Sequence, residues 1–296
     1  MKIKVYTLNA FTEDINGGNP AGVVLFADKL GPSQMQDIAK KVGFSETAFV
    51  MKSDKADFKV RFFTPEEEVD LCGHATIGTF YLMKDLGVIE TGHYTQETLA
   101  GILSVTIEKN GAVVMEQTRP DFIKEIKPSS PDFNEVCDSL GISEDDIGDF
   151  KTMEIISTGL ADLIIPVKSQ EVLYGIRPNF ASISRISKEH KITGYHVFVL
   201  NEGAVTASCR NFAPAYGIDE ESATGSASGA LGAFLVKNKL VSYSNQDIHM
   251  IFEQGLGMNR PSRLQVNIRM DEQMDQIESV FVGGKAANVQ SMEVVL

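Results

Sequence analysis

Residues 71–83 read Leu-Cys-Gly-His-Ala-Thr-Ile-Gly-Thr-Phe-Tyr-Leu-Met, and no charged side chain occurs between Ala75 and Met83. A helix that is apolar on every side has to be buried on every side. The small residues Ala75 and Gly78 would let neighbouring strands approach such a helix closely. The pattern therefore predicts a central helix, entered through a glycine turn at Gly73 and wrapped by a β-sheet.

The second half of the chain repeats this pattern. Residues 224–236 read Thr-Gly-Ser-Ala-Ser-Gly-Ala-Leu-Gly-Ala-Phe-Leu-Val and carry no charge. Three segments recur in the same order: Ser45–Phe49 with Ser157–Leu163, Arg61–Pro65 with Arg210–Pro214, and Cys72–Ala75 with Thr224–Ala227. One period of about half the chain predicts two similar domains rather than a solenoid.

The position of the domain boundary is indicated by a polar stretch that contains Pro120, Pro128 and Pro131. We predict an N-terminal domain of residues 1–120 and 283–296 and a C-terminal domain of residues 121–282, because the tail reads as a strand that returns to an existing sheet. The predicted fold class is α+β. It consists of two pseudo-symmetric domains, each a barrel-like mixed β-sheet around a central buried helix.

Composition limits the classes of partner. The 296 residues carry a formal net charge of -13, which makes nucleic acid and anionic membranes poor partners. Three cysteines without a paired spacing form neither a disulfide framework nor a zinc motif. No Rossmann fingerprint or P-loop is present, so we expect no cofactor and no metal. The chain start lacks the apolar core of a signal peptide, which predicts a cytoplasmic protein.

The chemistry suggested by the residues is the binding of a small acid and the movement of a proton. Helix N-termini at Gly73 and Gly225 would attract a carboxylate, and two such ends facing one cleft would hold a small carboxylic acid. Glu46 is a single acidic residue beside an apolar strand. A carboxyl in an apolar setting holds its proton more tightly and can exchange it near neutral pH. His74 and the Glu220-Glu221 pair are further acid/base candidates.

The motifs resemble those of the phenazine-biosynthesis (PhzF-like) family. The segments that carry the resemblance are Asn16–Val24, Ser45–Phe49, Arg61–Pro65, Glu68–Thr76 and Ala223–Ala227. Phe-Thr-Pro followed by Leu-Cys-Gly-His-Ala-Thr is highly specific, and the match continues to Gly283–Ala286, so it covers essentially the whole chain.

The resemblance implies a diaminopimelate epimerase-like fold, an active site between the domains, and proton transfer at carbon without a cofactor. The roles that it implies are a catalytic glutamate at Glu46, an active-site histidine at His74, a second-half acid at Glu221, and substrate-binding residues at Gly73, Gly225, Ser226 and Asn19. The family pattern Glu-Asp-Pro-x-Thr-Gly-Ser reads Glu-Glu-Ser-Ala-Thr-Gly-Ser here. Glu221 is therefore one methylene longer than the family aspartate, which leaves the substrate open. Thr224 stands where a related two-thiol racemase would have its second cysteine.

Two classes of function remain open from the sequence. The first is an active isomerase that moves a proton at a carbon of a small carboxylic-acid metabolite. The second is a non-catalytic binder of small acids that retains the interdomain cleft. The presence of Glu46, His74 and Ser226 together favours the enzyme, whereas the altered loop at Glu221 favours the binder. A homodimer is compatible with both.

Overall fold

The computed structural model describes residues 1–149 and 152–296. The chain divides into two compact units, the first formed by Met1–Glu116 with Gly283–Leu296 and the second by Gln117–Val282. The division falls between Glu116 and Gln117, earlier in the chain than the prolines that indicated a boundary at residue 120.

The chain forms most of the first unit, then the second unit, and returns to the first unit at its end. The first run of elements is β1 (Lys2–Ala10), β2 (Asn19–Val24), α1 (Pro32–Val42), β3 (Thr47–Met51), β4 (Phe58–Phe63), β5 (Glu68–Val69), α2 (Gly73–Asp85), β6 (Gly92–Thr98), β7 (Gly101–Ile107) and β8 (Val113–Gln117). The second run is β9 (Asp121–Ile126), α3 (Pro131–Leu140), β10 (Met153–Ser157), β11 (Ala161–Pro166), α4 (Gln170–Gly175), α5 (Phe180–His190), β12 (Gly194–Leu200), β13 (Ala207–Ala213), β14 (Ile218–Glu221), α6 (Gly225–Lys237), β15 (Asp247–Gln254), β16 (Ser262–Met270) and β17 (Ile277–Gly284). The last strand, β18 (Ala286–Val295), belongs to the first unit.

The two units have the same strand order. In the first, β18, β1 and β2 are antiparallel, β2 and β3 parallel, β3 and β4 antiparallel, β4 and β6 parallel, and β6 and β7 antiparallel. In the second, β9, β10, β11, β12, β13, β15 and β16 repeat this series of directions. A parallel step needs a crossover connection, and helices supply it in both units. The shared topology supports the duplication that the repeated segments predicted.

The central helix of each unit is buried, as its lack of charge predicted. In α2 every residue from His74 to Met83 except Tyr81 is buried, and in α6 every residue from Ala227 to Val236 is buried. The helix α2 packs against β1, β2 and β3, and α6 packs against β10, β11 and β16. The predicted fold class, α+β with a mixed sheet around a buried helix, is confirmed.

Matching ion pairs fix the residue-by-residue equivalence of the units. The Arg61 guanidinium donates two hydrogen bonds to Glu68, from β4 to β5, and Arg210 donates two to Glu220, from β13 to β14. With these arginines equivalent, strand register makes β3 the counterpart of β12, and Glu46 the counterpart of Gly194.

The predicted pairing of Ser157–Leu163 with Ser45–Phe49 is therefore wrong. Ser157–Leu163 covers the turn between β10 and β11, which corresponds to the turn between β1 and β2. Short runs of polar and apolar residues look alike at the starts of many strands, and only the register separates them. Among the residues that the structure describes, no helix is long and apolar enough to cross a membrane.

Candidate functional site

Glu46 lies at the entrance to β3, directly before its first residue. Its carbonyl oxygen accepts a hydrogen bond from the Gly22 amide at 3.1 Å, which fixes the backbone at this point. Ala48, two residues further along, packs in a cluster with Cys72 and Ala75. Because side chains alternate along a strand, Glu46 lies on the same side as Ala48 and is directed towards the start of α2.

Three side chains converge at the start of α2. Glu46 Oε2 lies 3.3 Å from His74 Nε2, and the two side chains are 16% and 6% exposed. His74 Nδ1 lies 3.3 Å from Cys72 Sγ. The Glu46–His74 contact is short, but its angles are not those of a hydrogen bond, since Glu46 Oε2 is buried without a hydrogen-bond partner among the described residues. The imidazole therefore contacts both a thiol and a carboxylate oxygen.

The same three groups could hold a metal ion. One ligand atom from each of Glu46, Cys72 and His74 lies within 4.8 Å of the others. A thiolate, an imidazole and a carboxylate form a donor set that zinc accepts, and three protein ligands leave a fourth position open. A metal site was not predicted from the sequence, because residue 46 is distant in the chain from residues 72–74 and the three residues form no metal-ligand spacing.

The second unit places Glu221, Thr224 and Gln254 together at the start of α6. The Thr224 hydroxyl donates to Glu221 Oε2 at 2.5 Å. The side-chain amide of Gln254 donates to the Glu221 carbonyl at 2.7 Å and to the Thr224 hydroxyl at 3.1 Å, and its oxygen accepts from the Thr224 amide. The carboxylate of Glu221 is thus held in one orientation beside the first turn of α6.

Three of the remaining predicted residues lie in the first turns of these helices, and the fourth lies at the start of a strand. Gly73 and Gly225 are the first residues of α2 and α6, and Ser226 follows Gly225, its carbonyl accepting from the Thr158 hydroxyl at 3.1 Å. Asn19 is the first residue of β2 and is 5% exposed. Sequence reasoning missed Gln254. Its signal was a polar residue at an inward position of an alternating strand, where apolar residues are the rule.

Comparison with known proteins identifies the family of the chain. The model of the phenazine biosynthesis-like protein family matches residues 8–292. An uncharacterised isomerase of Clostridium acetobutylicum is 36% identical over 100% of this chain and 99% of its own length. The uncharacterised isomerase YddE of Escherichia coli is 34% identical over 97% of this chain and 96% of its own.

A solved structure extends the similarity to three dimensions. The crystal structure of a Bacillus anthracis phenazine biosynthesis protein of the PhzF family is 33% identical, covers 100% of both chains and superposes with a TM-score of 0.90. A likeness that spans the full length of both chains leaves no part of the fold outside the match. The chain therefore belongs to the phenazine biosynthesis-like protein family and is an isomerase.

Proposed function

We propose that this isomerase moves a proton at a carbon atom of a small carboxylic-acid metabolite, without a cofactor, and that Glu46 is its general acid and base. The observation that carries the proposal is the placement of Glu46 Oε2, 3.3 Å from His74 Nε2 at the start of a buried helix. A group that both removes and returns a proton must be shielded from bulk water yet reachable by substrate. Glu46, at 16% exposure, meets both conditions.

The substrate class follows from the helix starts. The free backbone amides and the dipole of a helix N-terminus attract an anion, and a carboxylate is the anion that small metabolites most often carry. We assign Gly73, Gly225, Ser226 and Asn19 to substrate binding. His74 orients Glu46, and Glu221 is a second proton-transfer group.

The test is proton exchange at carbon. Purified protein is incubated in D2O with a panel of small carboxylic acids, and loss of C–H signals is followed by proton NMR. We expect the wild type to exchange one acid, and Glu46→Gln to lower the rate about a hundredfold to ten-thousandfold, as loss of a general acid/base does. Binding of the same acid, measured by calorimetry, should be nearly unchanged because glutamine keeps the shape of the side chain.

Glu66→Gln is the matched control, since Glu66 is an exposed residue of the loop before β5. It removes the same charge and should leave exchange unchanged. Wild-type exchange by Glu46→Gln would show that another group carries the proton. A wild type that binds an acid but exchanges no proton with it would favour the non-catalytic binder.

A further inference from the structure

Buried polar side chains lie along one face of the sheet in the second unit. Asp162 and His196 are 0% exposed and Asn211 is 1% exposed. Register pairs Asp162 with Gly194, His196 with Asn211, and Asn211 with Glu221, and paired residues share a face. Phe198, two residues after His196, contacts Phe234 of α6 with ring centroids 5.7 Å apart. The polar face is therefore the one that packs against α6.

The first unit builds the same fold without these polar groups. The positions equivalent to Asp162, His196, Asn211 and Glu221 are occupied there by Ala21, Ala48, Phe62 and Val69. Burying polar groups costs free energy unless hydrogen bonds replace those lost to water. Asp162 Oδ1 and Oδ2, His196 Nε2 and Asn211 Nδ2 are buried without a hydrogen-bond partner in the described part of the chain. The fold does not require this set, so its presence indicates a function.

Asp162 stands at the level that Glu46 occupies in the first unit. The counterpart of Glu46 is Gly194, and a Cβ there would lie 2.1 Å from the Phe212 carbonyl oxygen, so no side chain fits. Asp162 is the register partner of Gly194 on the adjacent strand. The second unit thus presents its carboxyl from β11, where the first unit presents one from the start of β3.

The surroundings of Asp162 favour its neutral form. Burial, and then the negative charge of Glu221, raise the pKa of Asp162 well above its usual value. The Gly194 backbone amide lowers the pKa of Asp162, but by less than burial and Glu221 raise it. Its contact with the carboxyl does not have the geometry of a hydrogen bond. Glu221, by contrast, is only partly buried and accepts a hydrogen bond from the Thr224 hydroxyl.

Among the residues that the structure describes, the charged groups of α6 and of the strands β10 and β16 are ion-paired. Burial lowers the pKa of His196 to about 4, which keeps the imidazole neutral at pH 7. The helix α6 carries no charged residue from Gly225 to Val236. Glu154 of β10 pairs with Lys237 at the opposite end of α6, and Glu253 of β15 faces Arg263.

We propose that Asp162 is a positioning residue that keeps a proton on the sheet face it shares with Glu221, so that of the two carboxyls Glu221 carries the charge and exchanges the proton. The assignment of Glu221 as the exchanging group rests on the proposed function, whereas the protonated state of Asp162 does not. Asp162 is fully buried and neither of its carboxyl oxygens has a hydrogen-bond partner among the described residues, which disfavours its charged form, whereas Glu221 is only partly buried.

Infrared spectroscopy tests this without a substrate. At pH 7 the wild type should show the carbonyl band of a protonated carboxylic acid, and Asp162→Asn should lack it. Asp162→Ala is the second variant, because alanine is the residue that the first unit carries at this position. A wild type without the band, or a band that remains in both variants, would overturn the proposal. Exchange activity that survives Glu46→Gln would contradict only the proposed function.

The dependence of stability on pH is an independent readout. Because the pKa of Asp162 is raised in the folded protein, the unfolded chain loses this proton first, and stability is lost as pH rises above about 3.8. Asp162→Asn should therefore be more stable than the wild type at pH 8 by urea denaturation, and the difference should shrink towards pH 4. The alkaline limb of the rate of carbon-bound proton exchange should also shift in this variant. A difference in stability that is the same at both pH values would contradict the proposal.

Discussion

At the scale of single residues, the position of Glu46 depends on two short pieces of chain that are far apart in sequence. The entrance to β3 supplies the carboxylate, and the residues around the first turn of α2 supply the thiol and the imidazole. Each group alone is common in proteins. Their convergence within 4.8 Å brings together a thiol, an imidazole and a carboxylate, which is a set of ligands that a thiophilic metal ion accepts.

This convergence predicts inhibition by zinc. Zinc bound by Cys72 and His74 would also take up Glu46 and so remove it from proton transfer. We expect micromolar Zn²⁺ to inhibit proton exchange reversibly, with recovery on addition of EDTA. Mg²⁺ should not inhibit, since it prefers oxygen ligands. Cys72→Ser should weaken the inhibition at least tenfold, compared with its own uninhibited rate, because a hydroxyl is a poorer zinc ligand than a thiolate. Equal sensitivity of both proteins to zinc would contradict the geometry.

The sequence placed Glu46 and His74 in one site from motif resemblance, and the structure brings their side chains together, although their roles stay predictions. Asp162, His196 and Asn211 were not predicted from the sequence. Those residues share a face only because three strands pair in a particular register, and register is set by contacts between residues far apart in the chain. A single polar residue in an otherwise apolar strand, Asp162 in β11 and His196 in β12, was the visible sign.

At the scale of the helices, α2 and α6 occupy equivalent positions in the two units, but neighbouring side chains lie closer to Gly232 of α6 than to Gly78 of α2. A Cβ on Gly232 of α6 would lie 2.7 Å from Val266 Cγ1 and 3.2 Å from Met250 Cε. A Cβ on Gly78 of α2 would meet Leu8 at 3.5 Å, an ordinary contact distance. The predicted need for small residues in these helices thus has a steric basis in α6 and a weaker one in α2.

Alanine substitutions should separate the two helices. Alanine favours a helix over glycine by about 1 kcal/mol. Gly78→Ala should therefore leave the free energy of unfolding unchanged or raise it by up to about 1 kcal/mol. Gly232→Ala should lower it by about 1–3 kcal/mol, because forcing a methyl group into a packed core costs more than the helix gains. Urea denaturation of both variants measures this. A Gly232→Ala protein as stable as Gly78→Ala would show that the strands around α6 yield to the added methyl group.

At the scale of the whole molecule, the division into two similar units could be predicted from the sequence, whereas the limits of each unit could not. Two charge-free helices, each preceded by an Arg-x-Phe-x-Pro segment, were enough to predict two units of one topology. The boundary was placed at residue 120 because proline marks breaks in regular structure, whereas β8 ends and the second unit begins before the first of these prolines. The periodicity of a sequence predicts individual helices and strands. The limits of a unit depend instead on which strands pair with one another, and periodicity does not show this.

The different interiors of the units should appear in the acid stability of the protein. His196 donates from Nδ1 to Asn211 Oδ1 at 3.0 Å, a tautomer assigned from this contact, and its ring is fully buried. Burial lowers its pKa to about 4 from the usual 6.5. As pH falls, the unfolded chain therefore binds this proton first, and the folded state loses stability between pH 6.5 and pH 4. Asp162 changes stability in the opposite direction as pH rises above about 3.8, so the contributions of the two residues oppose each other.

A variant that lacks only His196 should reveal how much this histidine contributes to the pH dependence of the free energy of unfolding. His196→Asn keeps a donor for Asn211 but cannot titrate. Compared with the wild type, it should gain about 1.5 kcal/mol in free energy of unfolding between pH 6.5 and pH 5, because the wild type alone loses that amount to protonation of the unfolded chain. Urea denaturation at a series of pH values measures the difference. His249→Asn is the control for the loss of a histidine as such, since His249 is exposed on β15. If the gap between His196→Asn and wild type stays constant over this range, His196 is protonated in the folded state as readily as in the unfolded chain, and burial does not lower its pKa as the structure indicates.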